Sequence, residues 1–397
     1  MTQNTLSPNQ KAWRRLRRNK PAVFGACVIA MCIFVAIFGY WIVPDDTPDA
    51  NRQLVSIALQ SPGYEVTMLK VRKNIPPQTQ NIFYTLLFGQ PDDVDFIPIV
   101  SYKIEATSLT AVRCDGDTIQ KNLADIVFPL SGNDKSNSLV GENIFYRDLE
   151  NQNQQISRTW LVQRIEQQHI TKQKYWLGTD SFGRCILSRL ILGTRISLLV
   201  GAIAVLISLL IGISLGAFAG YFGGRIDDLI TLIINTVWSI PTVLLVFAIV
   251  MAMGRGIGNI FLAVGLTMWV DVARIVRGQV MSLREVQYIE AAQSFGFSTW
   301  RILLKHILPN ILGPVMVVAA SNFATAILLE AGLSYLGFGI RAPMPSWGTM
   351  LNENYGYAIS GKPVIALIPA FAIMLLVLAF NMLGNGLRDA LDVKQVE

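Results

Sequence analysis

The chain has 397 residues, 52% of them hydrophobic and only 15% charged, where an average soluble domain carries about 25% charge. That composition excludes a purely soluble protein, and a net charge of +6 does not by itself point to nucleic acid. Asn, Gln, Asp and Lys concentrate between residues 44 and 176, a stretch that is slightly acidic on its own, with 13 Lys+Arg against 16 Asp+Glu. The apolar excess and the basic surplus share the rest of the chain, which is the pattern of membrane topology.

Residues 1–20 form a basic segment carrying Lys11, Arg14, Arg15, Arg17, Arg18 and Lys20. The uncharged stretch 21–44 that follows is long enough to cross a hydrocarbon core of about 30 Å at about 1.5 Å per residue. It ends in bulky Tyr40, Trp41, Ile42 and Val43 instead of a small-residue cleavage site, so it reads as an uncleaved first span with a cytoplasmic N-terminus. Cys27 and Cys32 lie within it. Cys114 falls in the polar region and Cys185 just after it, where an extracytoplasmic location would permit a bridge, although their spacing fixes no geometry.

The polar region 45–175 reads as a small α+β domain. Residues 64–71 and 96–112 partly alternate β-branched or aromatic with polar residues, between the turn signals Pro62-Gly63, Pro91-Asp92 and Asp115-Gly116. Residues 160–170 have helical spacing. Beyond it, uncharged stretches cover 196–224, 229–254, 256–270 with a continuation past Asp271, 307–329 and 363–387. With the first span these make six, which puts both termini on one side. The short outer loops then hold Arg255, Arg341 and Lys362. The inner segments hold the N-terminal cations, Arg225, Arg274, Arg277, Arg284, Arg301, Lys305, Arg388 and Lys394. This is a positive-inside asymmetry, and it places the long polar region outside the cytoplasmic membrane.

In the second span Gly212, Gly216 and Gly220 share one helical face and admit a close helix neighbour, whether as static packing or as a face that slides. Pro241 is a kink candidate in the third span. Asp271 and Glu330 are intramembrane carboxylates, candidates for a gate or substrate path and equally for interfacial or structural roles. Gly356 to Lys362 has phosphate-loop spacing, but Pro363 stands where a Ser or Thr must bind magnesium, so it is not read as a nucleotide site. Two histidines, His169 and His306, and no metal-ligand spacing leave no metal or cofactor site to assign.

The segment 282–309 is the most informative. Its spacing predicts a helix ending near Gly296, a second starting after Ser298, and an apolar face of Trp300, Leu303, Leu304 and Ile307, with Pro309 closing the unit. Such a helix pair at the membrane surface can be gripped by a cytoplasmic partner. Glu290-Ala291-Ala292, Gly296 and Leu308-Pro309 resemble the E-A-A coupling motif of bacterial ABC-importer permeases, with His306 at the motif's isoleucine position. The segments W-L-G-T-D-S-F-G-R-C-I-L-S-R-L-I-L-G-T-R-I-S-L from Trp176 and E-A-G-L-S-Y-L-G-F-G from Glu330 resemble the dipeptide/oligopeptide branch of that family. Cys185 departs from it, since an Asp usually follows G-R.

The resemblance implies an all-α polytopic membrane protein of six transmembrane helices, with an extracytoplasmic α+β domain inserted between spans one and two. Its permease core is 176–392 and its cytoplasmic tail 393–397. It implies a non-enzymatic permease subunit of a peptide importer in the bacterial inner membrane. Glu290, Ala291, Ala292, Gly296, Trp300, His306, Leu308 and Pro309 would couple it to the ATPases. The implied partners are a homologous second permease, two cytoplasmic ATP-binding subunits holding ATP and magnesium, an extracytoplasmic substrate-binding protein and lipid, with no nucleic acid. Importers of nickel chelates, opines, glutathione or antimicrobial peptides share these motifs. A membrane-anchored receptor or scaffold is the alternative from a different class. Residues 45–175 resemble no named domain.

Overall fold

A computed structural model of the chain describes residues 8–76, 81–131, 138–254 and 256–391. Residues 1–7, the tail at 393–397, and the topology-marking cations Arg255 and Lys394 lie outside the described residues. The basic N-terminal segment is a helix, α1 (Pro8–Arg18), followed by the apolar α2 (Lys20–Ile42). Asn19 between them accepts the backbone N–H of Ala22 on its Oδ1 at 3.2 Å, which caps the start of α2. At 23 residues α2 is about 35 Å long, enough to cross a bilayer.

The polar region follows as β1 (Tyr64–Arg72), α3 (Ile82–Phe88), β2 (Val94–Ile104), β3 (Ser108–Arg113), β4 (Thr118–Asn122), α4 (Leu123–Val127), β5 (Ser138–Val140), β6 (Asn143–Arg147), β7 (Asn153–Ser157), α5 (Arg158–Arg164), one π-helical turn (Ile165–His169) and β8 (Ile170–Tyr175). The rest is helical. It comprises α6 (Ile186–Phe222), α7 (Gly224–Trp238), α8 (Thr242–Met253), α9 (Ile257–Arg284), α10 (Gln287–Ser294), α11 (Thr299–Ile302), a π-helical turn (Leu303–Ile307), α12 (Leu308–Tyr335), α13 (Trp347–Ile359) and α14 (Pro363–Leu391).

Two compact units result. One comprises Ile37–Leu192 with Gly356–Ile365; the other comprises Met1–Ala36, Gly193–Tyr355 and Ala366–Glu397.

In the first unit, a five-stranded antiparallel sheet has the order β4-β3-β2-β1-β8, and a separate three-stranded sheet the order β5-β6-β7. The long apolar stretch 96–112 is therefore a hairpin and not one strand. It turns at Glu105–Thr107, where the Glu105 N–H donates to Ser108 O at 2.7 Å. Leu69, Ile99, Leu109, Leu123, Ile126 and Leu161 form the core between the large sheet and helices α4 and α5. Strand β8 returns the chain beside its point of entry, because Tyr64 pairs with Tyr175 across β1 and β8.

Below that point sits a knot of buried charge. Asp180 Oδ1 accepts the backbone N–H groups of Phe182 (2.9 Å) and Arg184 (3.0 Å), while Oδ2 accepts Arg184 Nε at 2.7 Å. Gly183 has φ +72, and a Cβ there would lie 1.9 Å from Leu54 O, so no other residue fits. Cys114 and Cys185 are free thiols and form no bridge.

The helical unit supplies α6, α9, α14 and the continuous helical run Thr299–Tyr335 as segments long and apolar enough to cross a membrane, as α2 also is. The third apolar stretch differs from a single span. The chain breaks at Ser239–Pro241 into α7 and α8, bent by 90°. Proline lacks the N–H that would continue the helix, and the two pieces of 15 and 12 residues are each too short to cross alone. The fourth stretch does run past Asp271, to Arg284. The connection between Leu336 and Lys362, expected as a short outer loop, holds the helix α13. Its buried face is Trp347, Met350 and Asn354, and the polar Asn354 hides the periodicity.

Candidate functional site

The segment expected to couple the chain to a partner is a helix, a tight turn and a second helix. α10 ends in a paired carbonyl cap: the Gly296 N–H donates to Gln293 O (2.9 Å) and the Phe297 N–H to Ala292 O (3.1 Å). That cap requires the left-handed φ of +74 found at Gly296. Ser298 has the extended N-cap backbone of the next helix, without a side-chain cap bond.

Beyond it the sequence phase fails. Ile302, Leu303 and Ile307 are buried, whereas Trp300 and Leu304 are 60% and 57% exposed. The cause is the π-helical turn Leu303–Ile307, whose wider winding breaks the i, i+3, i+4, i+7 pattern and turns Leu304 outward. Pro309 does not close the segment either. It occupies the first turn of α12 within the unbroken run Thr299–Tyr335, where its missing N–H is tolerated after the π turn.

One side of this segment is fixed and the other open. Ile289, Ala292, Ile302, Leu303 and Ile307 pack with Ala217 of α6, with Val272, Val276 and Val280 of α9, and with Ile311 of α12. Leu308 adds to the same cluster. The ring of Trp300 meets Phe218 edge-on at 5.8 Å, and His306 stacks on Phe297 at 6.2 Å. Facing outward are Glu290, Ala291, Arg301, Lys305 and the 81% exposed Phe295. A partner gripping that face would act on α6, α9 and α12 together.

The glycines of α6 tighten this connection. A Cβ at Gly212, Gly216 or Gly220 would lie 2.7, 2.5 or 2.6 Å from the carbonyl oxygens of Trp269, Ala273 and Arg277 respectively. The backbones of α6 and α9 therefore touch over three turns, and Gly265 of α9 meets Ile207 of α6 in the same way. Two ties fasten the ends. Arg284 Nη1 donates to Tyr221 O at 2.7 Å, and Arg277 Nη2 donates to Asp227 Oδ2 of α7 at 2.6 Å.

Glu330 and Asp271 are not brought together. Asp271 is exposed midway along α9. Glu330 is fully buried; its Oε1 accepts the Ser334 hydroxyl at 2.7 Å and its Oε2 takes no hydrogen bond. Gly348 at the start of α13 lies against the adjoining turn of α12, since a Cβ there would come 2.7 Å from both Ala331 Cα and Ser334 Cβ. Gly337, φ +81, ends α12 with the same cap as Gly296: the Phe338 N–H donates to Leu333 O and the Gly337 N–H to Ser334 O. The E-A-G-L-S-Y-L-G-F-G segment is thus a helix end, a cap and a seat for α13.

Sequence reasoning gave no role to Asp180, Arg184 or Arg189, although all three are buried. The signal was present, since three charges lie within ten residues of a stretch otherwise rich in Gly and Leu. The phosphate-loop look-alike is the end of α13 and a turn, in which Lys362 Nζ donates to Leu59 O at 2.6 Å. Among the described residues no group of three or more His, Cys, Asp or Glu side chains is placed to hold a metal ion.

Comparison with known proteins matches two family descriptions in chain order. Residues 7–62 match the N-terminal TM domain of oligopeptide transport permease C, and residues 212–396 match a binding-protein-dependent transport system inner membrane component. The dipeptide transport system permease protein DppC of Bacillus subtilis (strain 168) is 43% identical, over 58% of this chain and 74% of its own length. The glutathione transport system permease protein GsiD of Pectobacterium atrosepticum is 44% identical over 55% and 73%. The oligopeptide transport system permease protein OppC of Bacillus subtilis is 41% identical over 55% and 72%. Among solved structures, an inward-facing form of the MetNI methionine ABC transporter covers 52% of this chain and 98% of that chain at 19% identity, with a TM-score of 0.42. The relatives' identity and coverage carry the assignment: the chain belongs to the dipeptide/oligopeptide family of ABC-importer permeases and is a multi-pass component of the inner membrane.

Proposed function

We propose that this chain is one of two membrane subunits of an importer that moves dipeptides or oligopeptides into the cytoplasm, with ATP hydrolysis on separate subunits. A homologous permease completes the pore, two ATP-binding subunits holding ATP and magnesium grip the outward face of residues 285–309, and an extracytoplasmic binding protein delivers the peptide. Six crossings, counting α7 with α8 as one, leave both termini in the cytoplasm and the sheet domain outside. The cations of α1 and of the segment after α9 favour that orientation.

The observation that carries this reading is the α10–α11 unit, with one face locked to three long helices and the other bare. Nucleotide-driven closure of the ATPases moves that unit, and α6, α9 and α12 follow because their backbones and side chains leave no slack. Glu290, Ala291 and Trp300 meet the partner, while Gly296, His306, Leu308 and Pro309 hold the shape that transmits the push. Asp271 and Glu330 serve the pore, the first by its exposure and the second by locking α13 against α12.

Gly296→Pro cannot adopt φ +74, because proline fixes φ near −65°. Glu290→Lys reverses a charge on the bare face. Both are expected to insert normally yet hydrolyse ATP without peptide uptake in proteoliposomes. Wild-type uptake by both variants sinks the coupling role. Replacing peptides by glutathione in the same assay separates the reading suggested by the glutathione permease relative.

A further inference from the structure

α3 is out of place in a polar domain. Its sequence, Ile-Phe-Tyr-Thr-Leu-Leu-Phe, contains no charge, and none of its residues is buried. Ile82, Phe83, Tyr84, Leu87 and Phe88 are between 50% and 75% exposed. Of its two hydroxyls, Thr85 Oγ1 is turned back onto Ile82 O at 2.9 Å, and the other is the phenol of half-exposed Tyr84, an aromatic of the kind that sits at the membrane–water boundary. The helix ends are also satisfied, with Asn81 Oδ1 accepting the Phe83 N–H and the Gly89 N–H donating to Thr85 O. Apart from that phenol the segment has no polar side-chain group free to face water or a specific partner.

Its position says what covers it. α3 is pinned beside the C-terminal end of α2, where the apolar span meets the polar domain. Gly89 has φ +77, and a Cβ on it would lie 2.6 Å from both Asp46 O and the Tyr40 ring; the Gln90 N–H donates to Asp46 O at 2.9 Å. Arg52 then holds Asp92 through two bonds, of 2.7 and 2.5 Å. Trp41, 62% exposed, stands at the same end of α2. Seven residues make a helix about 10 Å long, too short to cross a membrane. Five side chains are also far fewer than the 20–30 residues a side of an ordinary stable protein interface. An aromatic-rich, uncharged helix at the mouth of a span has the chemistry of the lipid interface.

We propose that α3 is an interfacial anchor: the side chains of Phe83, Leu87 and their neighbours insert into the lipid headgroup and acyl boundary around the end of α2. The sheet domain is thereby held down at a third point, besides its two chain connections. This rests on reading α2 as a membrane span and is independent of which side the domain occupies.

The test places a benzophenone-bearing amino acid at Phe83, Leu87, Met31, Ile37 or Val100 of the full chain, purified with its co-purifying subunits. Each sample is reconstituted in nanodiscs of phosphatidylethanolamine and phosphatidylglycerol, irradiated and examined by mass spectrometry. Met31 and Ile37 report on α2, and Val100, 72% exposed on β2, reports on solvent. Acyl-chain adducts at 83 and 87, several-fold above Val100 and comparable to those at 31 and 37, are expected. Adducts at 31 and 37 with only the Val100 background at 83 and 87 overturn the anchor alone, as does crosslinking of 83 to a polypeptide. Absence of lipid adducts at 31 and 37 overturns the span reading and the anchor with it.

Discussion

Substitution of Gly216 by Ala tests whether α6 and α9 are joined backbone to backbone. The added Cβ would sit 2.5 Å from Ala273 O and 2.9 Å from Val276 Cβ, whereas carbon–oxygen contacts settle at about 3.3–3.6 Å. The helices must separate by roughly 1 Å, opening the contacts on either side at Gly212 and Gly220. Overpacking of this kind costs about 1–3 kcal/mol. Helix propensity opposes it, because alanine is better than glycine in a helix interior by about 0.8–1.0 kcal/mol. The steric cost wins by about 1 kcal/mol on these figures.

Gly278 of α9 isolates the second effect, since a Cβ there meets nothing within 4 Å; Gly278→Ala should be neutral or stabilising. SDS-titrated unfolding of the purified chain is the assay, with Gly216→Ala expected to unfold at lower detergent fraction and Gly278→Ala at equal or higher. Equal or greater stability in Gly216→Ala, relative to wild type, refutes the close approach and the transmission argument built on it.

Three further outcomes are expected from the sheet domain. Arg52, its side chain 9% exposed, lies between Asp45 and Asp92 with its guanidinium 3.8 Å above the Phe96 ring. Arg52→Met leaves buried carboxylates unpaired and should cost about 3–5 kcal/mol, read as early proteolysis of the domain; Arg52→Lys should cost less, and equal resistance in all three proteins defeats the assignment. Burial holds the His169 ring below its ordinary 6.5, with the positive charges of Arg164, Lys70 and Arg72 adding to the effect although Nδ1 bonds Lys70 O at 2.7 Å. The unfolded chain takes up that proton first, so stability falls as pH drops below 6.5, and His169→Gln should flatten that part of the melting-temperature profile; an unchanged slope contradicts it. Because Tyr64 and Tyr175 are partners, residues 64–175 can be excised with a short glycine linker. The excised chain should insert and retain ATPase stimulation but lose peptide uptake, and full uptake would exclude a role for the domain in transport.

What could be read from the sequence followed from single dominant forces. α2 is legible because an uncharged stretch of that length has no other stable place, and Gly296 because a helix stop before an N-cap serine requires a left-handed residue. The glycines of α6 announced a close neighbour but not which helix supplies it, because a periodicity carries no partner. The break between α7 and α8 was only half visible: Pro241 signals a bend, while the 90° angle depends on packing. The exposed Trp300 and Leu304 were misplaced because a π turn leaves no mark in hydrophobic spacing. The Asp180 knot was invisible as a knot, since its bonds to Phe182 and Arg184 are local but their burial depends on Leu54, distant in sequence, lying over Gly183.

The π-helical turn at Leu303–Ile307 has a consequence for the whole run Thr299–Tyr335. A π turn holds one residue more than α geometry needs, so the two α-helical pieces on either side are out of index by one position. Pro309, just past the turn, lacks the N–H that would carry the α pattern across it, so the extra residue sits beside a ladder bond that cannot form, and it offsets the two pieces by about 100° of rotation and about 1.5 Å of rise. The face at Trp300 is thus set out of phase with the span above it while the run remains one continuous helix.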